Sequence, residues 1–269
     1  MQRQYQNNTA TYGGGVRFSG YQNTTLSMTN NRFLENHADN TGGGIYILSN
    51  SSSTLTMSDN YFDTNKAANA AGGTFMDLNA VSITLNRETY IGNEANKSGG
   101  LQIQTDNLSQ ALLTQSNFTS NSATDAAGGL LLTNYDSQTT MENNIFVLNT
   151  AATFGGGYYL DIRNGSTSVI GDVMTSNTAK KGGGAHIFIQ DSVVNMSNTV
   201  ATLNTANGSG GGHYFQLWSS TVTLTNLTYV ENKAIGVELG HGAGLYVDER
   251  RASQLNLTMA NFTRNTANY

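Results

Sequence analysis

A six-residue phrase returns along this chain at a nearly constant interval, and no other property limits the fold as tightly. YQNNTA, FLENHA, FDTNKA, YIGNEA, FTSNSA, FVLNTA, MTSNTA, ATLNTA, YVENKA and FTRNTA share the pattern F/Y-x-x-N-x-A, with Met174 and Ala201 replacing the aromatic in two copies. The motif asparagines are Asn8, Asn36, Asn65, Asn93, Asn121, Asn149, Asn177, Asn204, Asn232 and Asn265. Eight of the nine intervals between them are 27 to 29 residues, and the last is 33. A second marker keeps step. The last glycine of a cluster falls seven or eight residues after each of the first eight asparagines, at Gly15, Gly44, Gly73, Gly100, Gly129, Gly157, Gly184 and Gly212, and Gly244 follows a longer loop. Two markers sharing one such period are the signature of a solenoid, in which each repeat contacts only its neighbours.

Within a repeat the apolar residues alternate, which is the period of a strand. The third residue after each cluster is Phe18, Ile47, Met76, Ile103, Leu132, Leu160, Ile187, Phe215 or Val247. A second alternating pair precedes the motif aromatic, as in Leu55/Met57 and Ile83/Leu85, and the aromatic itself marks a third strand. The spacing therefore predicts an all-β, right-handed parallel β-helix: one domain over residues 1–269, about nine coils of about 28 residues, three strands per coil. The motif asparagine suits a strand end, because it tolerates left-handed backbone and its amide can form a ladder with stacked copies. Alanine two residues later suits a crowded corner. The glycines permit backbone angles or close approaches that side chains forbid. Proline is absent, as expected where every interior strand donates its N–H groups to a neighbouring coil.

Composition then removes several functions. Only 12% of residues are charged and the net charge is -5, so no basic patch is available for nucleic acid. No run of apolar residues is long enough for a membrane-spanning helix. Without cysteine there are no disulfides or thiolate metal sites, and no cofactor is expected. The opening MQRQYQNNTATY has no apolar signal core, and it lies in the same phase as the closing TMANFTRNTANY. Both ends are thus expected to be uncapped and to meet more β-helix, either further coils of the same solenoid or head-to-tail copies.

The pairing of F-x-x-N with a downstream G-G-[AGLT]-apolar resembles the repeats of the chlamydial polymorphic outer membrane proteins and, more broadly, secreted pectin-lyase-like solenoids. The resemblance covers essentially the whole chain. It implies a right-handed β-helix in an extracellular, surface-associated adhesive or structural protein. The matching residues Phe33, Asn36, Gly43 and Gly44, with their copies, are structural, so the resemblance brings no catalytic residues.

A polysaccharide-cleaving or carbohydrate-binding β-helix is the competing class. Such an enzyme needs carboxylates clustered on adjacent coils. The outward acids of the post-glycine strand, Asp77, Asp161 and Asp248, recur three coils apart, or roughly 14 Å at the usual strand spacing. His186 and His213 fall on adjacent coils with opposite facing. The loop from Ala234 to His241, with Glu238 and His241, is the one irregularity. Between the inward positions of the post-glycine strand lies an outward stripe with Tyr46, Phe75, Tyr159, Tyr214 and Tyr246, expected either as an exposed contact surface or as cross-coil packing. The second strand presents Ser27, Thr56, Thr84, Leu112, Thr140, Ser168, Asn195, Thr223 and Asn256, a solvated polar face. Twelve N-x-S/T sequons, at Asn7, Asn23, Asn50, Asn96, Asn107, Asn117, Asn164, Asn195, Asn207, Asn226, Asn256 and Asn261, are candidate glycan acceptors in a eukaryotic secretory pathway. The expected function is a non-catalytic extracellular structural or adhesive rod.

Overall fold

Short strands with apolar residues at alternate positions cannot bury them within one repeat, so each repeat must lie on the next. The computed structural model describes residues 3–236 and 240–268. Across them the chain is all-β, with parallel strands stacked as a solenoid of about nine turns some 28 residues apart. In mid-rod the first strand after each glycine cluster is Leu130–Tyr135, Tyr158–Arg163 or Ala185–Gln190. The second is Gln138–Glu142, Ser166–Ile170 or Val193–Ser197, and the third is Ile145–Val147, Val173–Thr175 or Val200–Thr202. A fourth ribbon of only two residues follows, such as Thr150–Ala151 and Thr178–Ala179, and these ribbons pair into a sheet of their own. Residues of equal phase pair throughout: Leu132 with Leu160, Thr139 with Thr167, Phe146 with Met174, Ala123 with Ala151.

The core is a set of columns parallel to the rod axis. Tyr5, Phe33, Phe62, Tyr90, Phe118 and Phe146 stack ring on ring, with centroids 4.6–5.0 Å apart and planes within 7° of parallel. Each fully buried ring contributes roughly 1.5–3 kcal/mol of apolar burial. The two motif copies without an aromatic are filled from across the coil. Tyr158 sets its edge against Phe146 where Met174 follows, and His213 sets its edge against Tyr229 beyond Ala201. The motif alanines form their own buried column at the corner, Ala38, Ala67, Ala95, Ala123, Ala151 and Ala179 among them.

Stacked turns must share one shape, because their backbones also bond coil to coil. The residue just before each motif asparagine is left-handed in every copy: Asn7, Glu35, Thr64, Gly92, Ser120, Leu148, Ser176, Leu203, Glu231 and Arg264 all have φ between 51° and 59°. Its N–H donates to the coil above, as from Leu148 N to Thr175 O at 3.1 Å and from Leu203 N to Val230 O at 2.9 Å. This differs from the sequence expectation, which put left-handed backbone at the asparagine. The asparagine is held by its side chain, and the turn falls on its predecessor. At the next corner the backbones of successive coils nearly touch. A Cβ on Gly43 would lie 2.3 Å from Gly72 O and 2.5 Å from Lys66 O, which no side chain can accept.

Candidate functional site

The structure brings the ten motif asparagines into one column. Asn121 donates from its backbone N and from Nδ2 to Asn149 Oδ1, both at 3.0 Å, and its Nδ2 also lies 3.0 Å from Tyr90 O. Asn149 repeats this toward Asn177 Oδ1 and Phe118 O. The same three contacts hold at Asn36, Asn65, Asn93, Asn177, Asn204 and Asn232. The ladder therefore has a direction. Asn8 passes its donors to Asn36 Oδ1, and Asn265 receives at Oδ1 from Asn232.

A second interior column was not foreseen. It runs through Asn31, Asn60, Glu88, Ser116, Asn144 and Asp172, two residues before the motif aromatic and so on the same inward side. Backbone and side-chain donors pass from Asn60 to Glu88 Oε1 at 3.3 and 3.1 Å, and from Asn144 to Asp172 Oδ1 at 2.8 and 3.1 Å. Burial pushes the Glu88 carboxyl up to about 8 and that of Asp172 up to about 7, against the pull of those donors. The signal was present in the sequence as a polar residue at an inward position, a place where alternation alone expects apolar side chains. A third, serine column lies under the turn between first and second strands, as where Ser192 N donates to Ser220 Oγ.

The outward stripe is not an exposed surface along its length. Phe75 is 8% and Tyr214 5% exposed, while Tyr46, Tyr159 and Tyr246 are partly covered. The segment between motif alanine and glycine cluster folds back across the stripe. Ala70 and Ala71 pack on Phe75 and Tyr46, Phe154 lies against Tyr159 and His186, and Lys181 stands over Tyr214. Of the two expectations for this stripe, the rings pack coil on coil, as Tyr46 on Phe75 and Tyr214 on Tyr246, and do not form an exposed apolar face: alternation gives the facing of a strand, whereas its covering depends on the path of the preceding turn.

Asp77, Asp161 and Asp248 occupy one outward column, separated by Gln104 and Thr133 and then by Phe188 and Gln216. Asp161 is held by Arg163 at 2.8 and 2.9 Å, and Asp248 by Arg250 at 3.2 and 2.9 Å. Arginines also stand over neighbouring rings: Arg163 is 5.0 Å from the Phe188 centroid, and Arg250 and Arg251 are 5.4 and 5.1 Å from that of Trp218. His186 and His213 are buried, and desolvation lowers both to about 3, so each is a neutral ring. His213 Nδ1 lies 2.9 Å from Tyr229 Oη. In the long loop, His241 is exposed beside Tyr246, and Glu238 lies outside the described residues. On the second strand Ser27, Thr56, Leu112, Asn195 and Asn256 are exposed, and Thr84, Thr140, Ser168 and Thr223 partly so.

Of the twelve sequon asparagines eleven are exposed and Asn50 is half-buried. Asn7, Asn23, Asn107, Asn164 and Asn226 sit on left-handed turns, while Asn117 and Asn261 flank the inward rings Phe118 and Phe262. The arrangement as a whole is a set of continuous interior columns inside a largely polar, sequon-bearing surface. Compared with known proteins, the chain has no match: no family model fits it, and no curated protein and no solved structure matches it.

Proposed function

We propose that this protein is a non-catalytic structural or adhesive rod of the cell exterior, N-glycosylated where its source has that pathway. The observation that carries this reading is the unbroken interior. Amides and strands stack in register from the first described coil to the last, with stacked rings over most of that length, which makes a stiff, extended body. The exposed sequons support a glycosylated surface, and the three-coil separation of the Arg-engaged aspartates supports a role without catalysis. Mass spectrometry of protein from a eukaryotic secretory host, before and after amidase treatment, tests the glycan reading. Sugar on Asn117 and Asn261 is expected, and bare asparagines at both would overturn it.

The terminal coil faces support association with more β-helix. Phe262 is 48% and Leu257 44% exposed on the last coil. On that face the Asn265 backbone donor meets no acceptor among the described residues and stands ready for another rung, and on the first face Asn8 Oδ1 is the acceptor such a donor would meet. The expected occupant is a coil of the same geometry, from a second copy or from the same solenoid. Electron microscopy and light scattering of the 269-residue chain should show end-to-end assemblies. A soluble monomer with both end coils ordered would refute this. A second reading, glycan binding, is favoured by the Phe188, Gln216 and Trp218 face with its arginines standing over the rings. Loss of glycan retention in W218A, with the rod intact, would select it.

A further inference from the structure

The carboxyl members of the second interior column depart from a rule that its amides keep. The two amides that have a full coil before them use their nitrogens to reach a main-chain carbonyl of that coil: Asn60 Nδ2 lies 2.9 Å from Met28 O, and Asn144 Nδ2 lies 3.1 Å from Leu113 O, while Asn31 on the first coil reaches Thr29 O of its own coil. Glu88 and Asp172 follow in the same register, so the corresponding carbonyls are those of Met57 and Met141. Each carboxyl gives one oxygen to the two donors of its neighbouring asparagine, as an amide oxygen would. The other oxygen, Glu88 Oε2 or Asp172 Oδ2, is buried and meets no donor. With the first oxygen in the role of the amide oxygen, this second one is by register the counterpart of the amide nitrogen. An anion there would face carbonyl lone pairs, whereas an acid O–H would continue the pattern.

We propose that Glu88 and Asp172 are built into the rod as neutral carboxylic acids whose O–H stands in for an amide N–H, so that rising pH releases a proton from each and loosens the adjoining coils. Around Glu88 stand the Tyr90 phenol and, on the turn, Asp59 with its partner Arg87; around Asp172 stand Tyr158 and Glu142. No lysine or arginine is buried among the described residues, so nothing inside compensates a carboxylate. Folded values of about 8 and about 7 exceed the ordinary carboxylate range. The stabilisation is therefore complete below about pH 4 and is lost as pH rises through 7 to 8.

Urea unfolding of the full chain and of the double variant E88Q/D172N, between pH 5 and 9, reads the effect. Relative to the variant, the natural chain's unfolding constant should rise on the order of 100-fold or more over that range. The comparison cancels the histidines, which both proteins share. Parallel pH profiles would overturn the proposal. Should the variant not fold, infrared spectra of the natural chain decide. A protonated-carboxyl carbonyl band at pH 6 that vanishes by pH 9 supports the proposal, and no such band at pH 6 overturns it.

Discussion

At the scale of single residues, the solenoid repeats a chemical contract in every coil, and breaking it once has a local cost. Asn121 is fully buried and meets two donors and one carbonyl, so Asn121→Leu leaves those groups unpaired. The expected loss is about 1–3 kcal/mol, read from the denaturant midpoint, and a neutral substitution would contradict the ladder's role. The opposite change is available at Leu148, which is 55% exposed and held at φ 57° only because every stacked turn shares that shape. Leu148→Gly relieves a left-handed conformation worth about 1–2 kcal/mol, less the chain entropy that glycine adds, and should stabilise by roughly 0.5–1 kcal/mol. The buried histidines set the acid limit. Both folded values fall to about 3, below the ordinary imidazole value, so their share of stability is full above about pH 6.5 and is lost as pH falls toward 3. Replacing His186 and His213 by glutamine should flatten that acid limb in urea titrations, while an unchanged limb would remove the histidines from the account.

At the scale of elements, the periodicity was enough to place the three main strands of each coil, since inward positions such as Ile47, Leu132 and Ile187 are buried as their spacing requires, but not the short fourth ribbon that pairs into its own sheet. Two further features escaped it for physical reasons. The Glu88 and Asp172 column looks polar in sequence, and only the stacking of one coil on another shows that those side chains complete one another. The covering of Phe75 and Tyr214 depends on where the chain turns back, which alternation does not encode. Neither did the repeat reveal any single site, because side chains of equal phase are neighbours only through the register. The corner at Gly43 is the place where elements are most tightly coupled. Gly43→Ala would force its Cβ against two carbonyl oxygens of the next coil, so it should separate those coils and cost at least about 1–3 kcal/mol. Faster amide exchange than at mid-rod for Gly44 and Ile45, whose N–H groups donate to Gly72 O and Gly73 O of that next coil, would locate the damage.

For the whole molecule, nearest-neighbour construction means that a complete coil is a removable unit. Deletion of residues 93–120 joins Gly92 to Asn121 in phase and lets Asn65 meet Asn121. This shortened rod should keep a cooperative β-sheet transition, whereas deletion of half a coil should abolish it. Circular dichroism during thermal unfolding distinguishes the two. The alanine corner carries one more consequence. In a eukaryotic secretory pathway the acceptor triplet for N-linked sugar is N-x-S/T, read on the chain before it has folded. An asparagine that must later enter the interior therefore has to be unreadable to that machinery. Alanine stands two positions after all ten ladder asparagines, from Ala10 to Ala267, and an aromatic stands there after Asn31, Asn60 and Asn144. In such a pathway, the residue that fills a tight corner in the finished rod would also keep the interior asparagines from being acceptors. Ala151→Ser adds a single oxygen to the fold but turns the N-T-A that begins at Asn149 into the acceptor triplet N-T-S. A protein that folds in a bacterial cytosol yet is retained in a secretory host would be its mark.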